Sequence, residues 1–350
     1  MSHIERYTPH MSAYADDFAD SGNINWMPYL MYFHPYNYCS AVVNTDQFGF
    51  RYSEVNNQKY AVGDIDPEQP VRLIAGSSTV FGIGASQDRY TLASLMSKYD
   101  PRDEPWLNFG GRSFNSTQEL ILFTLNRHRL KHVKEIVLFS GFNDLGLARL
   151  PASLRMEHGA FFMCRDFFDA FKQKKNSGFS SWFGKSDDGP DENIPTLDEQ
   201  MDYAVSLTTR HIASWNALAK DMGATLTFVL QPLANWVREN CSKEEQDIFS
   251  ELEARGNFEE MYGDILSKDV CQKYADEIEK ETRRLGVRFI NFSPILDAAI
   301  TSDDWLFVDR IHFTDTGHDI VSRLLLNELT KRETADEEIH EKNQEHVFER

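Results

Sequence analysis

From residue 71 the chain alternates between short apolar runs and stretches with helical periodicity. The runs are VRLIAG (71–76), WLNFG (106–110), EIVLFS (135–140), TLTFVLQP (225–232) and VRFINF (287–292). They are largely continuous in their apolar character, as strands covered on both faces are, and strands of that kind belong to parallel sheets. Between them lie helical faces: Leu92, Leu95, Met96 and Tyr99; Met201, Val205, Thr208, Ile212, Trp215 and Ala219; Val270, Tyr274, Ile278 and Leu285; Ile320, Val321, Leu324, Leu325 and Leu329. Gly223 and Gly286 stand where two of these helices should stop. Ser116…Glu119 and Thr196…Glu199 have capping-box spacing at two helix starts. Strands alternating with helices predict an α/β layer fold on a central parallel five-stranded sheet.

The rhythm defines the organisation. Residues 1–70 are aromatic-rich and irregular, with a turn expected at Gly49, and read as an N-terminal extension that packs on the core. Residues 71–332 form the main domain, interrupted at about 151–195 and 236–264 by insertions. The first insertion carries Phe161, Phe162, Phe167, Phe168 and Phe171, more aromatic surface than a lone helix needs, so it is expected to pack on the body, with a lid, a homodimer contact or a docking surface as alternatives. The tail, 333–350, is highly charged and expected to be frayed or solvated.

Charge and cysteine usage narrow the function. With 36 basic against 55 acidic side chains the formal charge is −19, a surface that repels polyanions and argues against nucleic acid as a partner. No apolar run is long enough to span a membrane, and the polar start, MSHIERYTPH, has no signal-peptide pattern. Cys39, Cys164, Cys241 and Cys271 form no CxxC pair, which favours reduced thiols and a cytoplasmic location.

In parallel α/β folds the chemistry sits where loops leave the carboxyl ends of the strands. After the first strand comes GSSTVFGIG. It lacks the Gly-Lys-Ser/Thr of a phosphate loop and the third glycine of a dinucleotide fingerprint. It is either a plain Gly/Ser turn or a turn that presents a nucleophilic hydroxyl. GFND follows the third strand: Asn143 can aim an amide N–H at an oxyanion, Asp144 suits a cap of the following turn, or both simply close a loop. In VDRIHFTDTGHD, Asp309 and His312 are three apart, so a helical turn would put them on one side. The carboxylate can then accept from Nδ1–H and leave Nε2 free to take a proton; a surface Asp and a capping His is the plainer alternative. His128 and His132 have i, i+4 metal-ligand spacing on an expected helix, but no Cys or carboxylate joins them, so no metal and no cofactor is expected.

The order of these motifs resembles the SGNH (GDSL-like) hydrolase superfamily over about residues 71–330. GSSTVFG, NFGGRSFNSTQEL, SGFNDL and VDRIHFTDTGH carry the resemblance. It implies a flavodoxin-like three-layer α/β/α sandwich and the hydrolysis or transfer of ester-linked acyl groups. By position it makes Ser78 the nucleophile, with Asp309 and His312 completing a triad. The oxyanion donors would be Asn143, the Ser78 N–H and the N–H of Ser113, or of Gly111 in its place. Two positions depart from the family pattern: Ser77 stands where Asp is usual and Ser113 where Gly is usual.

The expected activity is therefore a serine esterase or deacylase that removes an acyl group, acetyl by resemblance, from a small molecule or carbohydrate. An O-acyltransferase on the same scaffold and a silent partner-binding relative are the alternatives. Arg112, beside the oxyanion loop, Gln231, at the end of the fourth strand, and Trp305 and Phe307, before Asp309, are the substrate-pocket candidates.

Overall fold

A computed structural model of the chain describes residues 2–17, 24–162, 195–256 and 258–348. Five strands, β1 (Val71–Gly76), β2 (Trp106–Gly110), β3 (Val133–Ser140), β4 (Thr225–Leu230) and β5 (Arg288–Asn291), form one parallel sheet in the order β2-β1-β3-β4-β5. This is the flavodoxin-like order, in which the chain switches direction between β1 and β3.

The continuous apolar runs are explained by burial on both faces. Leu73, Ala75, Leu107, Phe109, Ile136, Leu138, Phe228 and Leu230 enter one hydrophobic cluster, while Ile74, Val137, Phe139, Val229 and Ile290 enter a second. The first is covered by α3 (Ser116–Asn126), α5 (Leu197–Met222) and α6 (Lys268–Leu285); the second by α2 (Leu92–Tyr99), Phe292–Ala299 and α7 (Asp315–Phe348). Burying one such side chain contributes roughly 1.5–3 kcal/mol, against about 1 kcal/mol for a helix cap, so packing sets the architecture and caps set its boundaries.

Helix α5 has the Thr196/Glu199 capping box and ends at Gly223, φ +70°. Helix α6 ends at Gly286, φ +67°. The start of α3 differs from the sequence expectation by one residue. Asn115 is the N-cap and Gln118 its reciprocal partner, so Ser116 and Glu119 turn inward instead. The spacing of His128 and His132 is not realised on a helix either: α3 stops at Asn126, Arg127–Arg129 is a 3-10 turn, and His132 lies beyond it, 3.4 Å from Glu68. Among the described residues no group of three metal-ligating side chains occurs, and no helix is long and apolar enough to cross a membrane.

The N-terminal residues add two small antiparallel hairpins, Asn25–Met27 with Met31–Phe33 and Ser53–Val55 with Gln58–Tyr60. Leu30, Tyr32, Phe33 and Phe50 lie in the same cluster as Leu73 and Leu107. The expected turn is at Gly49, φ +92°, where a side chain would stand 2.6 Å from the His34 carbonyl oxygen. Residues 236–264 contain Lys243–Gly256 and shorter helical turns. Most of the 151–195 insertion, with Phe167, Phe168, Phe171 and Cys164, lies outside the described residues, as do the side chains of the charged tail.

Candidate active site

The end of β1 leaves no room for a side chain at Gly76, whose added Cβ would meet the Phe139 carbonyl oxygen at 2.2 Å. Ser77 continues extended (φ −90°, ψ −151°), and the one-turn helix α1 (Ser78–Phe81) begins at once. The two serines are thereby separated. Ser77 is buried, its hydroxyl 3.4 Å from Gln231 Oε1, whereas Ser78 is partly exposed at the first position of α1.

Asp309 and His312 meet on a bend rather than the expected helical turn. An antiparallel bridge between Phe307 and Phe313 closes it, with the Val308 N–H donating to the His312 carbonyl at 2.9 Å. The bend folds the carboxylate back on its own segment: Asp309 Oδ1 accepts from the Ile311 and His312 N–H groups, each at 2.7 Å. Oδ2 lies 2.7 Å from His312 Nδ1, and Nε2 lies 2.7 Å from Ser78 Oγ. Desolvation alone would push the Asp309 carboxyl up, but the charge of His312 and these hydrogen bonds outweigh it and hold the group below the usual carboxylate range.

The loops after β2 and β3 flank this line. The Gly111 N–H donates to the Gly76 carbonyl at 3.0 Å. Ser113 takes φ +57°, the left-handed conformation a glycine would hold without cost. Among the described residues its N–H has no hydrogen-bond partner, nor has that of Ser78, which precedes the first intrahelical bond of α1. Asn143, in α4 (Phe142–Leu147), is buried, and Nδ2 donates to the Phe114 carbonyl at 2.6 Å; an amide nitrogen has a second N–H to give.

The parallel five-stranded sheet is the one the sequence predicted. The chain has the α/β fold that the SGNH resemblance implies. No family model and no curated protein matches the sequence. Solved structures similar to this chain include a lipase/acylhydrolase from Enterococcus faecalis, 11% identical with a TM-score of 0.41, covering 75% of this chain and 97% of that one. Others are a GDSL-like lipase from Bacteroides thetaiotaomicron VPI-5482, at 15% and 0.38 with 77% and 91% covered, and the acetyl xylan esterase AlAXEase, at 11% and 0.39 with 73% and 98% covered. The functional reading accordingly rests on this chain's own geometry.

Three of the four pocket candidates are buried. Gln231 is buried beneath the serine turn, between Ser77 and Thr79, and braces that turn rather than facing a cleft. Phe307 is fully buried against Phe313, a core residue. Trp305 is partly buried; its indole N–H donates to the Phe307 carbonyl and its ring packs edge-on against Tyr7. Arg112 is buried rather than a surface charge, with its backbone N–H on His34 Nε2 and its carbonyl accepting from Tyr32.

Two buried polar groups escaped the sequence reading. Asp144 caps a different helix from the one expected: it accepts from the Ser116 N–H at 3.1 Å and from Thr208 Oγ1 at 2.7 Å. Behind it Ser140 donates to buried Glu119 at 2.7 Å, and Tyr274 donates to the Gly141 carbonyl at 3.0 Å, so this network underlies the Asn143 turn. The second group joins Arg51 to Asp88, 2.8 Å apart and fully buried. For the second, the one signal available was a charged residue inside an apolar stretch, Arg51 in QFGFRY.

Proposed function

We propose that this chain is a serine esterase acting on a carboxylic ester by two-step acyl transfer. One observation carries the reading: Asp309, His312 and Ser78 are joined in a single line by two 2.7 Å hydrogen bonds. With Nδ1–H donating to Asp309, Nε2 is the free base. It removes the Ser78 proton as Oγ attacks the ester carbonyl, forming the C–O bond of a tetrahedral oxyanion. The N–H groups of Ser78 and Ser113 and the second N–H of Asn143 are the donors for that oxyanion. His312 then gives its proton to the departing alcohol as the ester C–O bond breaks, leaving the acyl group on Ser78. Water, deprotonated by Nε2, attacks this acyl-enzyme and restores the serine. An acceptor alcohol in place of water would make the same chemistry a transfer.

The resemblance favours a short acyl group, acetyl on a small molecule or carbohydrate. The free thiols of Cys39, Cys241 and Cys271 fit a reducing, cytoplasmic setting. The deciding experiment is labelling with a fluorophosphonate, followed by peptide mapping, alongside hydrolysis of p-nitrophenyl acetate. Labelling at Ser78 and its loss in Ser78→Ala are expected; equal labelling and equal hydrolysis by the variant would sink the proposal.

A further inference from the structure

Arg51 belongs to the N-terminal segment, yet its guanidinium lies behind the turn that carries Ser78. Nη1 donates to the Phe81 and Gly82 carbonyls at 3.2 and 2.9 Å, and Nη2 to the Val42 carbonyl at 2.8 Å. Nε is paired with Asp88. The Tyr14 hydroxyl accepts from Nη1 at 2.9 Å and lies 2.8 and 2.6 Å from the carbonyl oxygens of Gly82 and Ala85.

Helix α1 is one turn long, too short to be stable through its own hydrogen bonds. Its geometry is set by what holds its ends. The Gly82 and Ile83 N–H groups bond the Ser78 carbonyl at 2.9 and 3.1 Å, so the peptide that Arg51 grips is itself bonded to the nucleophile residue. The following loop reaches the base: a Cβ on Gly84 would stand 2.1 Å from the Phe313 carbonyl oxygen, and the Ser86 N–H donates to Asp315 at 2.8 Å. The segment from Gly82 to Ser86 thus touches the Ser78 turn at one end and the His312 segment at the other.

Resting on the esterase reading above, we infer that Arg51, assisted by Tyr14, is a positioning residue that sets Ser78 Oγ relative to His312 Nε2. A packing role alone would not call for arginine. Replacing a buried ion pair with well-packed apolar groups is often neutral or stabilising. An apolar side chain cannot donate to carbonyls in three directions from one rigid fork, and the guanidinium does. Lysine keeps the charge but offers a single point of donation.

The test compares full-length wild type, Arg51→Lys and Tyr14→Phe, well below their melting temperatures. The readouts are the rate of fluorophosphonate labelling at Ser78, and kcat and KM for p-nitrophenyl acetate. Arg51→Lys should lose on the order of 10²-fold in labelling rate and kcat, and Tyr14→Phe about ten-fold, with KM unchanged, as a nucleophile displaced by a fraction of an ångström would give. A wild-type labelling rate in folded Arg51→Lys, with only its melting temperature lowered, overturns the inference. Should the lysine variant fail to fold, the same result in Tyr14→Phe overturns it. A wild type that is not labelled at Ser78 sinks the esterase reading first, and this inference with it.

Discussion

The carboxylate of Asp309 makes three short hydrogen bonds, two to backbone N–H groups and one to His312. The backbone bonds hold the bend whether or not the side chain is charged on its other oxygen. Asp309→Asn should therefore keep the fold but present an amide to Nδ1, favouring the tautomer with its proton on the serine side. Turnover of p-nitrophenyl acetate should fall by on the order of 10⁴-fold with little change in KM; a loss of ten-fold or less would mean that the carboxylate does not set the tautomer. Ser113 makes a complementary case. In the proposed oxyanion hole it acts through the backbone, so Ser113→Gly should leave kcat unchanged, whereas Asn143→Ala should lower it by on the order of 10²-fold. Equal losses in both would put the Ser113 side chain in the chemistry. These residues were legible as motifs, because the proposed nucleophile, base and oxyanion donors need fixed residue types in a fixed order. Gln231 and Phe307 were left as pocket candidates because position along a strand or loop does not tell whether a side chain turns toward the cleft or the core. Here Gln231 points under the Ser77 turn and Phe307 into the sheet cluster.

At the scale of elements, the tightest meeting is between β2 and α1. A Cβ on Gly110 would lie 2.0 Å from the Phe81 nitrogen, and Asn108 Nδ2 donates to the Val80 carbonyl at 2.9 Å. Backbone meets backbone there, so an added methyl cannot be relieved by a rotamer change. Gly110→Ala must push α1 outward, at a cost of about 1–3 kcal/mol in stability. Chemical denaturation should show that loss, together with slower fluorophosphonate labelling because Ser78 rides on α1; a variant as stable as wild type would mean the two elements are not rigidly apposed. The five strands were legible because continuous apolar runs have few other uses. The start of α3 was misread because two capping boxes overlap, Asn115…Gln118 and Ser116…Glu119, and spacing alone cannot choose between them. Tertiary partners decide: Ser116 has His211 at 2.7 Å, and Glu119 has Ser140.

At the scale of the molecule, the least legible features are the polar groups buried between elements far apart in sequence. Arg51 with Asp88, and Glu119 with Ser140 and Asp144, acquire their partners only when the sheet and its helices assemble, so no local pattern announces them. Glu119 has a measurable consequence. Desolvation, then the charge of neighbouring Asp144, push its carboxyl well above 4.5, with the Ser140 hydroxyl only partly opposing them. A carboxyl whose folded value is raised binds more protons folded than unfolded. Its contribution to stability is full below the unfolded value, near pH 4.5, and is lost as pH rises toward the raised folded value. Glu119→Gln keeps an acceptor for Ser140 and removes the titration. The −19 charge also weakens the fold as pH rises, but equally in both proteins, so the informative quantity is the difference in melting temperature. That difference should move in favour of Glu119→Gln between about pH 5 and about pH 8. Parallel melting profiles across that range would show that Glu119 takes up no extra proton on folding, and that the network under the Asn143 turn is held in a charged state.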